Sequence, residues 1–144
     1  MTFSRRRGGE YNASVMLETA LIPDKSIITA KGDGPAVDLN GATTRVFLLT
    51  LTITEVLEQE SIEVTIFSSA DGQTWSAKPI LSFPQKFYRG EHPLLLDLTQ
   101  QPEIKVLRAH WEVARWGRGE TTPMFEFSLR LRDVPSEVLA GARA

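Results

Sequence analysis

The chain contains no cysteine. That excludes a disulfide framework, a thiol nucleophile and every thiolate metal site, and it fits a reducing compartment. Histidine is scarce, with two in the chain. Neither His92 nor His110 stands at a spacing that gathers other metal ligands around it. No apolar run approaches the roughly 18 residues needed to cross a bilayer. The N-terminus reads MTFSRRRGGEYNAS, with no apolar core after its basic cluster, so it does not read as a signal peptide. Charge of one sign is lacking too. Sixteen Lys and Arg against 18 Asp and Glu leave a net charge of −2, which exerts no overall pull toward nucleic acid or an anionic membrane. These absences point to a cytoplasmic protein with no membrane partner and no cofactor.

What is present reads as one globular domain. The chain has 144 residues, with 42% hydrophobic and 24% charged, ordinary values for a domain that buries its own core. Residues 1–14 are polar and carry Arg5-Arg6-Arg7-Gly8-Gly9, which reads as a flexible basic arm. Residues 15–133 alternate with the period of two that marks strands. Phe47, Leu49, Leu51 and Ile53 share one face, with Thr50, Thr52 and Thr54 on the other. Ile62, Val64 and Ile66 alternate with Glu63 and Thr65. Leu107, Ala109, Trp111 and Val113 alternate with Arg108, His110 and Glu112. Phe125, Phe127, Leu129 and Leu131 alternate with Glu126, Ser128, Arg130 and Arg132. Such one-sided strands belong to antiparallel sheets with one wet face. Weaker strand signals lie at Val15–Ile22, Ile27–Ala30, Ala36–Leu39, Ile80–Phe83, Phe87–Tyr88 and Leu94–Leu98. Glycine-bearing connectors at Gly32, Gly34, Gly41, Gly72, Gly90, Gly117 and Gly119 punctuate them. The expected fold is an all-β, antiparallel, jelly-roll-like sandwich of about eight strands. A short tail, 134–144, carries a helical turn near Pro135–Ala140.

The stretch Ser68-Ser69-Ala70-Asp71-Gly72-Gln73-Thr74-Trp75 interrupts this pattern. Asp-Gly after an alternating strand is a strong hairpin signal. Gly72 takes a positive φ without a Cβ penalty. Asp71 and Ser69 can bond the backbone a few residues on. Trp75 then opens the next segment. Ser69, Asp71, Gly72 and Trp75 therefore read as a structural hairpin that needs no ligand.

That hairpin carries a resemblance. It is similar to the sialidase Asp box, S-x-D-x-G-x-x-W, but one residue short. It is closer to the S-x-D-G-x-x-W hairpin of discoidin-like carbohydrate-binding modules and of β-sandwich proteins in tailed-phage virions. The resemblance to small jelly-roll-type phage structural proteins extends over about residues 36–132. It takes in the Val46–Thr54 strand, the Ser61–Trp75 hairpin, Phe83-Pro84-Gln85, the Leu107-Arg108-Ala109-His110-Trp111 strand and Phe125-Glu126-Phe127. The stretches Phe87–Pro93 and Arg115–Pro123 are longer than that group leads one to expect. The resemblance implies a virion-associated structural subunit that forms a homo-oligomer or joins a larger protein assembly. The discoidin-like similarity implies a glycan as the alternative partner.

No catalytic set can be assigned. There is no G-x-S-x-G elbow, no phosphate-cradling glycine loop and no pair of carboxylates placed for glycoside hydrolysis. Asp33, Asp38, Asp71 and Asp97 follow no calcium-loop spacing. Two stretches stand out instead, Tyr88-Arg89-Gly90-Glu91-His92 and Arg115-Trp116-Gly117-Arg118-Gly119-Glu120. Aromatic and arginine side chains are enriched at binding hot spots, so Tyr88, Arg89, Arg115, Trp116 and Arg118 are the expected interface residues. The function expected is non-catalytic: a structural or assembly protein, with a carbohydrate-binding module as the alternative.

Overall fold

In the computed structural model the described residues are 17–86, 88–116, 121–135 and 138. They form nine strands and two antiparallel sheets: β1 Glu18–Ile28, β2 Gly32–Asp33, β3 Val37–Asp38, β4 Val46–Val56, β5 Glu60–Ser69, β6 Leu81–Ser82, β7 Gly90–Asp97, β8 Val106–Arg115 and β9 Phe125–Asp133. One sheet has the order β1-β9-β4-β7. The other has the order β2-β8-β5-β6, with β3 also on β8. The two-residue strands β2 and β3 pair with successive parts of β8, at Trp111 and His110 and then at Leu107 and Val106, so together they act as one interrupted strand. Counted that way there are eight strands, and their order is that of a jelly roll.

The alternation read from sequence explains the core. Phe47, Leu49, Leu51, Ile53, Ile62, Val64, Ile66, Leu107, Ala109, Phe125, Phe127, Leu129 and Leu131 are all buried between the sheets. Trp111 of one sheet meets Phe127 of the other edge to face, with ring centroids 5.9 Å apart at 82°, an arrangement aromatic quadrupoles favour. The Trp111 indole N–H donates to the Ala30 carbonyl at 3.0 Å, which satisfies the one polar atom that ring brings inside. Gly34 marks a close approach: a Cβ there would lie 2.6 Å from the Leu21 carbonyl oxygen.

Every sheet edge is blunted. Strand β1 contains Pro23, a positive φ at Lys25 and register shifts against β9. Strand β7 contains Pro93, and β2, β3 and β6 are two residues each. Short, proline-bearing or bulged edges resist strand addition. The apolar N-terminal segment accordingly turns inward. Leu21 and Ile22 are buried, and Glu18 to Ile22 pair with Leu129 to Arg132 of their own chain. The expected loop at Phe87–Pro93 also differs. Gly90 to Pro93 belong to β7, because they continue the β4 ladder opposite Thr50 to Ile53. The arm 1–14 lies outside the described residues, as does most of the tail. Within the tail, the Val138 N–H donates to the Pro135 carbonyl at 3.1 Å.

Candidate functional site

The jelly-roll order sends connections to two opposite ends of the sandwich. At one end lie the β4–β5 turn (residues 57–59), the residues just before β7, and the start and finish of the β8–β9 connection. At the other lie the β3–β4, β5–β6 and β7–β8 connections, together with Leu17, whose carbonyl accepts the Asp133 N–H at 3.1 Å.

The first end gathers the expected interface residues that are described. Tyr88 and Trp116, 28 positions apart in the sequence, both line a cleft of about 360 Å³ with Val56, Leu57, Glu58, Gln59 and Glu60. Tyr88 is 78% exposed and Trp116 is 48% exposed, values far outside the core range for such large rings. The floor is rigid for identifiable reasons. Gln59 turns the chain with a φ of 58°. The Glu60 side chain is buried, 1% exposed, and its two oxygens accept the Leu57 N–H at 2.7 Å and the Met124 N–H at 2.8 Å. One carboxylate thus ties the β4–β5 turn to the entry of β9. The Trp116 N–H donates to the Gln59 carbonyl at 2.9 Å, which extends the β5–β8 ladder to the rim of the cleft.

The arginines divide. Arg115 donates from Nε to the Glu58 carbonyl at 3.4 Å and from Nη1 to the Thr122 carbonyl at 3.2 Å, so its guanidinium braces the loops that carry Trp116. Arg89 meets Glu55 at 4.0 Å, with both side chains largely exposed, a pair worth little in water. Arg118 lies outside the described residues.

The hairpin sits at the opposite end. Ser69 Oγ accepts the Gly72 N–H at 2.7 Å and the Asp71 N–H at 3.1 Å, and it donates to Asp71 Oδ1 at 3.0 Å. Asp71 Oδ1 accepts the Gln73 and Thr74 N–H groups at 2.8 and 2.9 Å. The amides of Thr74 and Gln73 and the Ser69 hydroxyl hold the Asp71 carboxyl below its ordinary range. Gly72 has a φ of 82°. A cleft of about 380 Å³ lies beside Trp75, but the Arg108 guanidinium covers that ring at 4.3 Å from its centroid. The polar atoms of this hairpin serve its own backbone, and its tryptophan already has a cation on its face.

Neither histidine sits in a turn or a loop. His110 lies on the outer face of β8, with Nδ1 2.9 Å from Asp33 and Nε2 2.5 Å from Glu112. Burial pushes its pKa down, but the Glu112 and Asp33 carboxylates outweigh burial and the net shift is upward. His92 stands within β7, opposite Leu51 of β4, and its Nε2 is buried without a hydrogen-bond partner. Burial first, then the charge of Lys86, lowers its pKa against the opposing Tyr88 backbone bond. Among the described residues no three His, Asp or Glu side chains are placed to hold a metal ion. Asp38 and Asp97 instead cap the Asn40 and Thr99 N–H groups, while Asp33 binds His110. No described helix is long and apolar enough to cross a membrane.

Sequence reasoning picked out Tyr88 and Trp116 by type. It missed Glu60, which reads as one more carboxylate in a charged connection. Compared with known protein families, with curated proteins and with solved structures, the chain matches no family model, no curated protein and no solved structure.

Proposed function

We propose that this protein is a non-catalytic β-sandwich subunit that self-associates or decorates a larger assembly, such as a virion-like shell, tail or filament, through the Tyr88–Trp116 end. The observation that carries this reading is the pair of exposed rings on a braced floor. Large exposed aromatics on a rigid support are what a binding hot spot requires, because little side-chain freedom is lost on contact. The jelly-roll topology agrees with the resemblance to phage structural proteins, although a fold alone assigns no function. The test is light scattering with negative-stain imaging across protein concentration and salt. Particles larger than one chain, growing with concentration, are the expected result. A single chain at every concentration would remove self-association.

One feature favours a second reading. A cleft of about 360 Å³ between two exposed rings falls in the size range of small-ligand pockets and offers the stacking faces that a sugar ring uses. In that case the wild-type chain binds in a glycan-array screen and Trp116→Ala does not, with assembly unaffected.

A further inference from the structure

We propose that the outer face of the β2-β8-β5-β6 sheet is a contact surface for a second copy of this chain, on which two copies pair about a twofold axis and Arg108 of each enters an acidic recess of the other. The contact lies on a different surface from the Tyr88–Trp116 end and does not depend on it. Three observations meet here.

The first is a guanidinium without an anion. Arg108 points outward from β8, between the inward Leu107 and Ala109, and is half-buried. It lies over the Trp75 ring at 4.3 Å from the centroid. Its Nε is buried with no hydrogen-bond partner, and among the described residues the side chain makes no hydrogen bond and no ion pair. Carboxylates on the same sheet are committed elsewhere, Asp33 and Glu112 to His110 and Asp71 to the amides of its hairpin. Stacking on the indole holds the guanidinium plane, which readies its Nη donors for a carboxylate fork.

The second is an acidic recess without a cation. Glu63 of β5 and Glu112 of β8 stand directly opposite one another in the ladder, both exposed. Like charges so opposed repel. Together with Ser61, Gln85, Val113 and Ala114 they line a cleft of about 260 Å³ that has no Lys or Arg in its described lining. Glu112 meets His110, while Glu63 makes no hydrogen bond and no ion pair among the described residues. A cation placed between them relieves the repulsion.

The third is symmetry. Arg108 stands two positions before His110 and Glu112 two positions after it, all on the outward side of β8. A twofold axis in the contact plane, crossing β8 at His110, lays β8 of one copy over β8 of the other in the opposite direction. Arg108 of each copy then meets Glu112 of the other, with Glu63 beside it. That is the self-complementary pattern of an isologous pair. His110 on the axis has both ring nitrogens taken within its own copy, so its charge is already balanced there. An exposed ion pair alone contributes little. Here Phe67, opposite Arg108, and Trp75 beneath it are half-buried on the same face and lose their remaining water with it. Aromatic and arginine side chains are the ones that dominate such contacts.

The experiment is sedimentation velocity on full-length chains. Arg108→Glu places an acid where the guanidinium stood. Glu63→Lys places a cation in the recess, and because Glu63 is exposed and unbonded this change spares the fold. Circular dichroism confirms folding. Wild type is expected to form a two-copy species that weakens with salt. Each variant alone is expected to associate about tenfold or more weakly, because a like charge enters both contacts. An equal mixture of the two regains the two-copy species, since opposite charges then meet at both contacts. The chain carrying Tyr88→Ala and Trp116→Ala keeps it. Charge variants that each associate as wild type does overturn this inference and leave the end contact standing. A mixture as weak as its components overturns it too. If Arg108→Glu unfolds, Glu63→Lys decides alone, and unchanged association overturns the inference. Two-copy and larger species that are all unaltered by Tyr88→Ala and Trp116→Ala remove the end contact and leave this one. A wild-type chain that is monomeric throughout removes both.

Discussion

The Glu60 carboxylate is buried, and both its oxygens accept backbone N–H groups from two separate connections. Removing an acceptor that serves two half-buried donors strands both of them. Glu60→Ala should therefore lower stability by about 2–3 kcal/mol in denaturant unfolding. Glu60→Gln should recover only part of that, since an amide offers one oxygen and sets its NH₂ against the other donor. The histidines make opposite contributions. The His110 pKa is raised in the folded chain, so its stabilisation is fully present below the unfolded value of 6.5 and is lost as pH rises through the folded value. The His92 pKa is lowered, so its contribution is present above 6.5 and is lost as pH falls through the folded value. The groups facing His110 are Asp33 from β2, Glu112 from β8 and the Phe67 ring from β5 at 6.1 Å. Urea midpoints of wild type and His110→Gln, followed from about pH 5 to about pH 9, should converge as pH rises. A gap that stays constant with pH would assign His110 a packing role alone.

At the scale of elements, the Ser69–Trp75 hairpin is held by its own hydrogen bonds. Gly72→Ala tests this. An added Cβ meets nothing closer than Val106 at 3.8 Å, but the backbone sits at a φ of 82°. The cost is conformational, about 1 kcal/mol, and should appear as a lowered melting temperature with assembly unchanged. Gly34→Ala is the contrasting case, because its Cβ would collide with backbone at 2.6 Å and the two layers would have to separate. The hairpin, the long strands and their inward residues were legible in the sequence, since period-two alternation and Asp-Gly are local signals. The edges were legible in part: the weaker signals at Val15–Ile22, Ala36–Leu39, Ile80–Phe83 and Leu94–Leu98 fall on or across β1, β3, β6 and β7. What was hidden is their extent, since Gly90 to Pro93 join β7 only through the ladder with β4 and carry turn residues that pairing overrides. The role of Glu60 was equally hidden, because Met124 lies 64 positions away. Tyr88 and Trp116 could be chosen by residue type, but only the folded topology places both on one cleft.

At the scale of the whole molecule, the core and the candidate surface occupy separate parts. The core runs between the sheets, where Phe127 is fully buried against Trp111. The candidate surface lies at one end, where Tyr88 and Trp116 leave large parts of their rings in water. A cavity left by Phe127→Ala should cost about 3–5 kcal/mol, and any loss of assembly in that variant would follow from unfolding. Truncating an exposed ring removes little buried area, so Tyr88→Ala and Trp116→Ala should each shift the unfolding free energy by about 1 kcal/mol or less. The two effects are separable by measuring unfolding and assembly on the same samples. If the rings serve contact, assembly falls in variants whose unfolding midpoint hardly moves. If they serve packing, assembly and stability fall together in proportion. That proportion is the quantity to plot, because a residue that supports the fold moves along the line that Phe127→Ala defines, and a residue that makes the contact departs from it.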